Sequence, residues 1–536
     1  MNAVKDWYRE PVLELEQIQG IAVPGFIKPY QTLICVRHAS DEETIVNVRA
    51  FLRQLLPHLT NGNDALADRR AHRAHRRAGK VGALPAHAPL LAIGFTYPGL
   101  FSLTPSAEAM TSQAFKLGLP ARSALLGDPV ERDHPGHPSK WAVGAPGKEP
   151  HFMVVVAGDD KGRVHARAEA VIAQLRGFGL DDHVRQDGHK HGGKVSREHF
   201  GFADGISQPG IRGVDPVKQA YVTDRHIDPA TQPDASLYGY PGQDLVWPGE
   251  FVFGYPRSGP DPLLPGPLAD AGPPWTRNGS YLVYNRLVQD VRLFWRTMRS
   301  EARRLAELPG FAALSEESLA ELMVGRTRSG APISRLRGTG CAAHPGLGSD
   351  EFANNDFRFD SDTPRPLRAQ GEAYPQALAD PIGQTCPLAS HIRKVNPRDA
   401  TTDVGGPAST YAHRILRVGV PFGEPLADPH ARPRDDEKEE ERGLLFLAIQ
   451  SSIEEQFEFL QARWMNDDRR PKAPSGHDMV AGRNPVAGDA TRRCVIFGSD
   501  NQAATVEARK PFVIPTGGGY FFVPALDAIR DVLAVR

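Results

Sequence analysis

The chain has 536 residues, of which 40% are hydrophobic and 24% charged, and its formal net charge is −1. Nothing in that balance calls for nucleic acid or an acidic membrane surface as a partner, and no run of about 18 apolar residues offers a membrane span. The length favours two domains over a single core, and 52 Gly with 47 Pro predict a loop-rich protein. The first ten residues, Met1 to Glu10, hold no apolar run, so no secretory signal is expected. The four cysteines, Cys35, Cys341, Cys386 and Cys494, form no C-x-x-C pair and no zinc spacing. They read as free thiols in a reducing compartment, and the cytoplasm is the expected location.

In chain order, residues 15–23 and 30–37 read as β-strands, rich in Ile, Val and Leu and separated by a Pro-Gly turn. Residues 42–58 follow with helical spacing of Ile45, Val48, Phe51, Leu52 and Leu55. Residues 62–88, with Arg69, Arg70, His72, Arg73, His75, Arg76, Arg77 and Lys80, read as a solvated basic loop. A strand is expected over His151–Gly158 and a helix over Ala166–Arg176. Residues 182–194 carry His183, His189 and His191 and read as a surface loop, not a metal site. Strands are expected at Phe251–Tyr255 and Tyr281–Tyr284, and a helix at Gln289–Ala306. An acidic run, Asp435 to Glu441, lies in an exposed segment over 427–442. A strand at Gly443–Ile449, a helix at Ile453–Met465 and a strand at Gly519–Pro524 complete the set. The order β, β, α, then β, α fits an α+β sandwich, and similar elements recur in the second half.

Three stretches carry candidate chemistry. Glu198-His199-Phe200-Gly201-Phe202-Ala203-Asp204-Gly205-Ile206-Ser207-Gln208-Pro209 sets one carboxylate, Asp204, among glycines that accept a tight backbone path. Such a loop aims a carboxylate at a fixed point; an Asx-type turn is the plain alternative. The second stretch, Cys386-Pro387-Leu388-Ala389-Ser390-His391-Ile392-Arg393-Lys394-Val395-Asn396-Pro397-Arg398, offers His391. The third, His413-Arg414-Ile415-Leu416-Arg417-Val418-Gly419, offers Arg417 and a second histidine, His413.

Together these stretches resemble the dye-decolourising peroxidases, a family of haem enzymes, in their long intracellular form. Phe251 to Tyr255, Gly279 to Tyr284, Met323-Val324-Gly325-Arg326, Ile453 to Phe457 and Gly517 to Pro524 extend the likeness in the same order. The resemblance implies two ferredoxin-like α+β domains, antiparallel sheets with flanking helices, with haem held mainly in the C-terminal half. Residues 1–235 would form the first, with the Asp204 loop, and 236–536 the second, with His391 and Arg417. It implies one haem b per chain, held non-covalently because no c-type attachment motif is present.

The implied activity is reduction of H2O2, through an oxoferryl intermediate, with oxidation of dyes, phenolic or other one-electron donors. Haem-based peroxide cleavage needs an axial ligand that pushes electron density to iron. It also needs a proton carrier and a positive charge for the leaving oxygen. By the resemblance these are His391, Asp204 and Arg417. His413 is the nearest competitor for the iron, and Glu454 or Glu455 a candidate partner for the ligand's second nitrogen. Arg398 and Arg393 are candidates for a haem propionate, since Arg suits planar carboxylates; a surface ion pair is the alternative. An Asp used as a base predicts an acidic optimum for dye oxidation. The competing class is a haem-handling protein with incidental peroxidase activity, which would need His391 but neither Asp204 nor Arg417. No nucleic acid or membrane partner is expected, and a homo-oligomer is compatible with the sequence.

Overall fold

A computed structural model describes residues 11–77, 88–192, 196–214, 242–261, 264–336, 344–351, 353–365, 374–431, 440–484, 486 and 489–535. The expected domain boundary at residue 235 lies outside them, as do Cys341 and the acidic residues 435–439.

One large antiparallel sheet organises the molecule. Its strands run in the order Leu416–Arg417, Gly443–Gln450, Ser280–Gln289, Val513–Val523, Leu90–Phe95, Phe152–Gly158, Tyr30–Val36 and His183–His189. Val420–Phe422 pairs with Gly443–Gln450 beside this path. The two halves of the chain meet where Phe522 faces Phe95. The strand Val513–Val523, last in sequence, therefore sits in the middle of the sheet.

The sheet curls until its ends approach. Gln31 Nε2 donates to Val418 O at 2.9 Å. At Gly188 an added Cβ would lie 2.5 Å from Val420 Cγ1 and 2.8 Å from Pro421 O, so only glycine allows this approach.

Helices cover the sheet by burying one face. Glu42–Leu55 buries the five apolar residues its spacing predicted, and Asp41 caps it by accepting from Thr44 N. Lys161–Gly177 buries Val164, Ala168, Val171, Ile172 and Leu175 behind an Asp160 cap. Val291–Ala306 and Glu316–Val324 pack in a separate core with Phe200 and Phe202. The α+β architecture of antiparallel sheet and flanking helices is thus the one expected.

Four local expectations fail. Residues 15–23 form turns, not a strand. Residues 18–23 are buried, yet their backbone is not laddered; the Gln19 amide instead bonds Ile93 N, Ile93 O and Pro524 O. Residues 251–255 also form turns, because Phe251 N and Val252 N both bond Pro248 O. The basic segment begins as a helix, Gly62–Arg77, capped at Asn61, which accepts from Asp64 N; residues 78–87 lie outside the description. Residues His183–His189 form an edge strand in full register with Tyr30–Val36. Its polar alternation reads as a loop, but an edge strand facing solvent has the same composition.

Candidate active site

The stretch around Asp204 is an irregular loop held by its own first carboxylate. Glu198 Oε2 accepts from Phe200 N at 2.8 Å and Gln289 Nε2 at 2.6 Å, and Oε1 accepts from Phe202 N at 2.9 Å. The loop then reaches Gly205, whose φ of +77° L-residues rarely adopt. This bend brings Gly205 N onto Asp204 Oδ1 at 2.6 Å, a bond to the next residue and not the two-residue span of an Asx-type turn.

The same oxygen of Asp204 also accepts from Arg417 Nη1 at 3.1 Å. Arg417 lies on the short strand Leu416–Arg417, which pairs with Gly443–Gln450. Gln208 extends that pairing with its side chain. Its Nε2 donates to Arg417 O at 2.7 Å, and its Oε1 accepts from Arg417 N at 3.2 Å. Arg417 Nη2 donates to Ser207 O at 2.8 Å. The loop and the strand thus fix the carboxylate and the guanidinium against each other, with both side chains partly open.

His391 opens the helix His391–Val395. Its Nδ1 lies 2.7 Å from Oδ2 of Asp478, a carboxylate with no exposed surface. Asp478 Oδ1 accepts from Val480 N at 2.9 Å and Ala481 N at 3.0 Å. Burial alone would raise the Asp478 pKa, but the His391 charge and these hydrogen bonds outweigh it and hold the carboxyl below its ordinary value. Burial likewise opposes the charged form of His391, and Asp478 reverses the direction to a raised pKa. With Nδ1 on the carboxylate, Nε2 is the ring nitrogen left for a metal. The partner expected at Glu454 or Glu455 is therefore Asp478. Glu454 is taken by Ser112 Oγ and Ala114 N, and Glu455 by Arg257.

Asp204, Arg417 and His391 border one cavity of about 270 Å3. Its other walls are largely apolar, including Phe202, Leu287, Phe446 and Leu460. His413 borders it too, but its ring stacks on Phe459 at 3.6 Å and its Nδ1 pairs with Glu455 O. No carboxylate stands behind it as Asp478 stands behind His391.

Two expected residues are placed elsewhere. Arg393 is buried away from the cavity, with Nη1 3.2 Å from Asp380 Oδ2 and 2.7 Å from Cys386 O. Arg398 lies behind the wall, donating to Asn355 O, Phe357 O and Asn355 Oδ1 over the Phe357 ring. Their guanidinium groups are spent on the backbone that carries the site. Besides Arg417, two arginines border the cavity: Arg414, which pairs with Asp244 at 3.0 Å, and Arg326. Arg326 is buried and donates to Gly330 O, Asn354 O and Ser207 Oγ, all uncharged. Burial pushes its pKa down to about 9, the signature of a buried cation lacking a counter-charge. The motif Met323 to Arg326 was visible in the sequence; the place of Arg326 at the cavity was not.

Glu198 was also unassigned. It borders the cavity, and burial is the main cause raising its pKa to about 7, with the Asp204 charge adding to it against three hydrogen bonds. Folding therefore favours its neutral form. Stability from this group is full below pH 4.5 and is lost as pH rises through about 7. Glu198→Gln should remove that dependence. Its stability relative to wild type should gain on the order of 3 kcal/mol between those limits, from ~1.4 kcal/mol per pKa unit. Chemical denaturation across that range reads the difference; parallel profiles would show that Glu198 stays ionised throughout.

Among the described residues, one other group gathers three metal-type ligands: Asp68, His72 and Asp159. Lys28 Nζ already sits among them, 2.5 Å from Asp68, 2.6 Å from Asp159 and 3.0 Å from His72 Nε2. The ammonium supplies the charge a metal would bring.

The residues of the cavity suit a haem. An imidazole nitrogen faces it, backed by a buried carboxylate; apolar walls suit the macrocycle; a buried cation without a counter-charge suits a propionate.

Comparison with known proteins points the same way. Residues 17–189 match the family described as the DyP dimeric alpha+beta barrel domain. The chain is 29% identical over 403 residues to dye-decolorizing peroxidase msp1 of Mycetinis scorodonius, covering 74% of this chain and 68% of that one. It is 28% identical over 535 residues to the multifunctional dye peroxidase DyP2 of Amycolatopsis, covering 98% and 97%. Among solved structures, an ancestral D-type dye-decolorizing peroxidase superposes with a TM-score of 0.75 at 29% identity, covering 98% of this chain and 100% of that one. A shared order of motifs, a shared fold over the full length and a cavity suited to haem together show that this chain belongs to the dye-decolourising peroxidase family and is a haem peroxidase.

Proposed function

We propose that the cavity holds one haem b per chain, bound without a covalent link, with His391 Nε2 as the nitrogen that would hold the iron and Asp204 and Arg417 as the groups that would act on peroxide. The observation that carries this reading is the Asp204–Arg417 pair at 3.1 Å in the same cavity as a carboxylate-backed histidine. None of the three described cysteines, Cys35, Cys386 and Cys494, borders the cavity, and all are buried. That supports non-covalent binding.

When bound, haem supplies the redox centre for cleaving the peroxide O–O bond and passing single electrons from donors. The chain's own groups prepare that step. Asp478 draws the Nδ1 proton of His391 and makes Nε2 a stronger donor. Asp204 Oδ1 is held by Gly205 N and Arg417, which leaves Oδ2 to take a proton from H2O2 and return it to the departing oxygen. The Arg417 guanidinium stabilises the anion developing on that oxygen. Arg326 holds a propionate at the cavity wall. The donors we propose are dyes, phenols and other one-electron reductants.

The test is a titration of haemin into the apoprotein, followed by one equivalent of H2O2 and then a phenolic donor. A ferric Soret band saturating at one haem per chain is expected, with a spectral change on peroxide that the donor reverses. A saturated band indifferent to peroxide would leave a haem-handling protein; no band would refute the cavity as a haem site.

A further inference from the structure

Lys394 has no exposed surface and stands one turn beyond His391 on the helix His391–Val395. Four oxygens surround its Nζ: Asp467 O at 2.7 Å, Arg470 O at 2.5 Å, Ser475 Oγ at 3.2 Å, and Gly476 O. An ammonium has three N–H groups, so this cage saturates it. Burying an ammonium without an ion pair is unfavourable, and burial is what pushes the Lys394 pKa down to about 8. A norleucine-like side chain such as Met would fill the same space without that cost, so the choice of lysine calls for a reason.

The reason lies in where the oxygens come from. All four belong to residues 467–476, the segment that leads into Asp478. Asp478 is anchored on its own side by Val480 N, Ala481 N and the bond from its own N to Met465 O. Those bonds orient it but do not tie it to the helix of His391. Among the described residues, two side chains make the hydrogen bonds joining 391–395 to 467–478: His391 and Lys394. Beside the histidine–carboxylate bond itself, Lys394 is therefore the one direct hydrogen-bonded tie between the two carriers; Asp360 bridges them indirectly, 3.5 Å from Arg393 Nη2 and 3.0 Å from Lys472 Nζ.

We propose that Lys394 is a positioning residue for the His391–Asp478 pair: by gripping residues 467–476 it holds Asp478 at hydrogen-bonding distance from Nδ1 and so sets how strongly His391 donates to haem iron. This rests on His391 being the axial ligand. The His391–Asp478 bond stabilises ferric over ferrous iron by making the imidazole electron-rich.

The ferric/ferrous midpoint potential of haem-loaded protein tests it, because the sign separates two mechanisms. If Lys394 acts by grip, Lys394→Met loosens Asp478 and shifts the potential upward, as Asp478→Asn should. If Lys394 acts only as a nearby positive charge, its removal favours ferric iron and shifts the potential downward. We expect an upward shift in the wild-type background that disappears or reverses in Asp478→Asn. A downward shift in the wild-type background, or an equal upward shift in both, overturns the proposal. Should Lys394→Met fail to fold, Ser475→Ala removes one cage oxygen at little change in volume. A smaller upward shift there supports the grip, and no shift or a downward one overturns it. Failure of the underlying reading is distinguishable: His391→Ala would then leave the ferric spectrum unchanged.

Discussion

Asp204→Asn slows the reaction with H2O2 by about 10²–10⁴-fold, the usual contribution of a positioned acid–base group, with haem loading unchanged. The substitution keeps the shape. An Asn oxygen still accepts from Gly205 N and Arg417 Nη1, so the loop and the guanidinium keep their places. What is lost is a group that takes a proton at one moment and returns it the next. Stopped-flow measurement of the Soret change against peroxide concentration gives the second-order rate directly. A rate within roughly threefold of wild type, far below that range, would remove Asp204 from the proton path and leave catalysis to Arg417. The profile against pH adds a second reading. A wild-type rate that follows a single ionisation, flattened in Asp204→Asn, assigns that ionisation to this carboxylate.

His391→Ala has the other large effect. It deletes the nitrogen proposed for the iron and strands Asp478, whose buried Oδ2 loses its 2.7 Å partner. The ferric Soret band is expected to shift or vanish, and the peroxide reaction to fall to background. Removing one partner of a buried charged hydrogen bond typically costs about 3–5 kcal/mol, so lower stability is expected as well. Added imidazole can occupy the space left by the side chain. Recovery of the wild-type spectrum with imidazole separates loss of the ligand from collapse of the site. Unchanged haem binding and spectrum would refute His391 and turn attention to His413.

Much of the site was legible in sequence, and its limits follow from distance. Asp204, His391 and Arg417 stand in local patterns, and the structure brings all three to one cavity. Asp478 was missed because it lies 87 positions from His391, in a segment without periodicity. Glu198 opened the most informative stretch yet went unassigned; its meaning depends on Gln289, 91 positions away. Arg393 and Arg398 looked as eligible as Arg326, since any arginine suits a carboxylate; only the placement of Asp380 and of the cavity tells them apart. Among the elements, periodicity succeeded for Glu42–Leu55, where one helix face is buried. It failed at 15–23 and 251–255, where apolar residues cluster without a clear period and a turn looks like a strand.

The order of strands also shapes how the protein is made. Val513–Val523 is synthesised long after both of the strands it lies between, Ser280–Gln289 and Leu90–Phe95. Until it emerges from the ribosome, Ser280–Gln289 presents a row of unpaired amides and carbonyls on that side, whereas Leu90–Phe95 meets it only at Phe95. That open edge is a template for wrong pairing. Contacts such as Gln19 Nε2 to Pro524 O, separated by 505 positions, form only after the chain has been made through that residue. Such long-range closure is slow. A nascent chain of this protein is therefore vulnerable to aggregation until residues 513–523 emerge, and their release is the event that commits both halves to one fold.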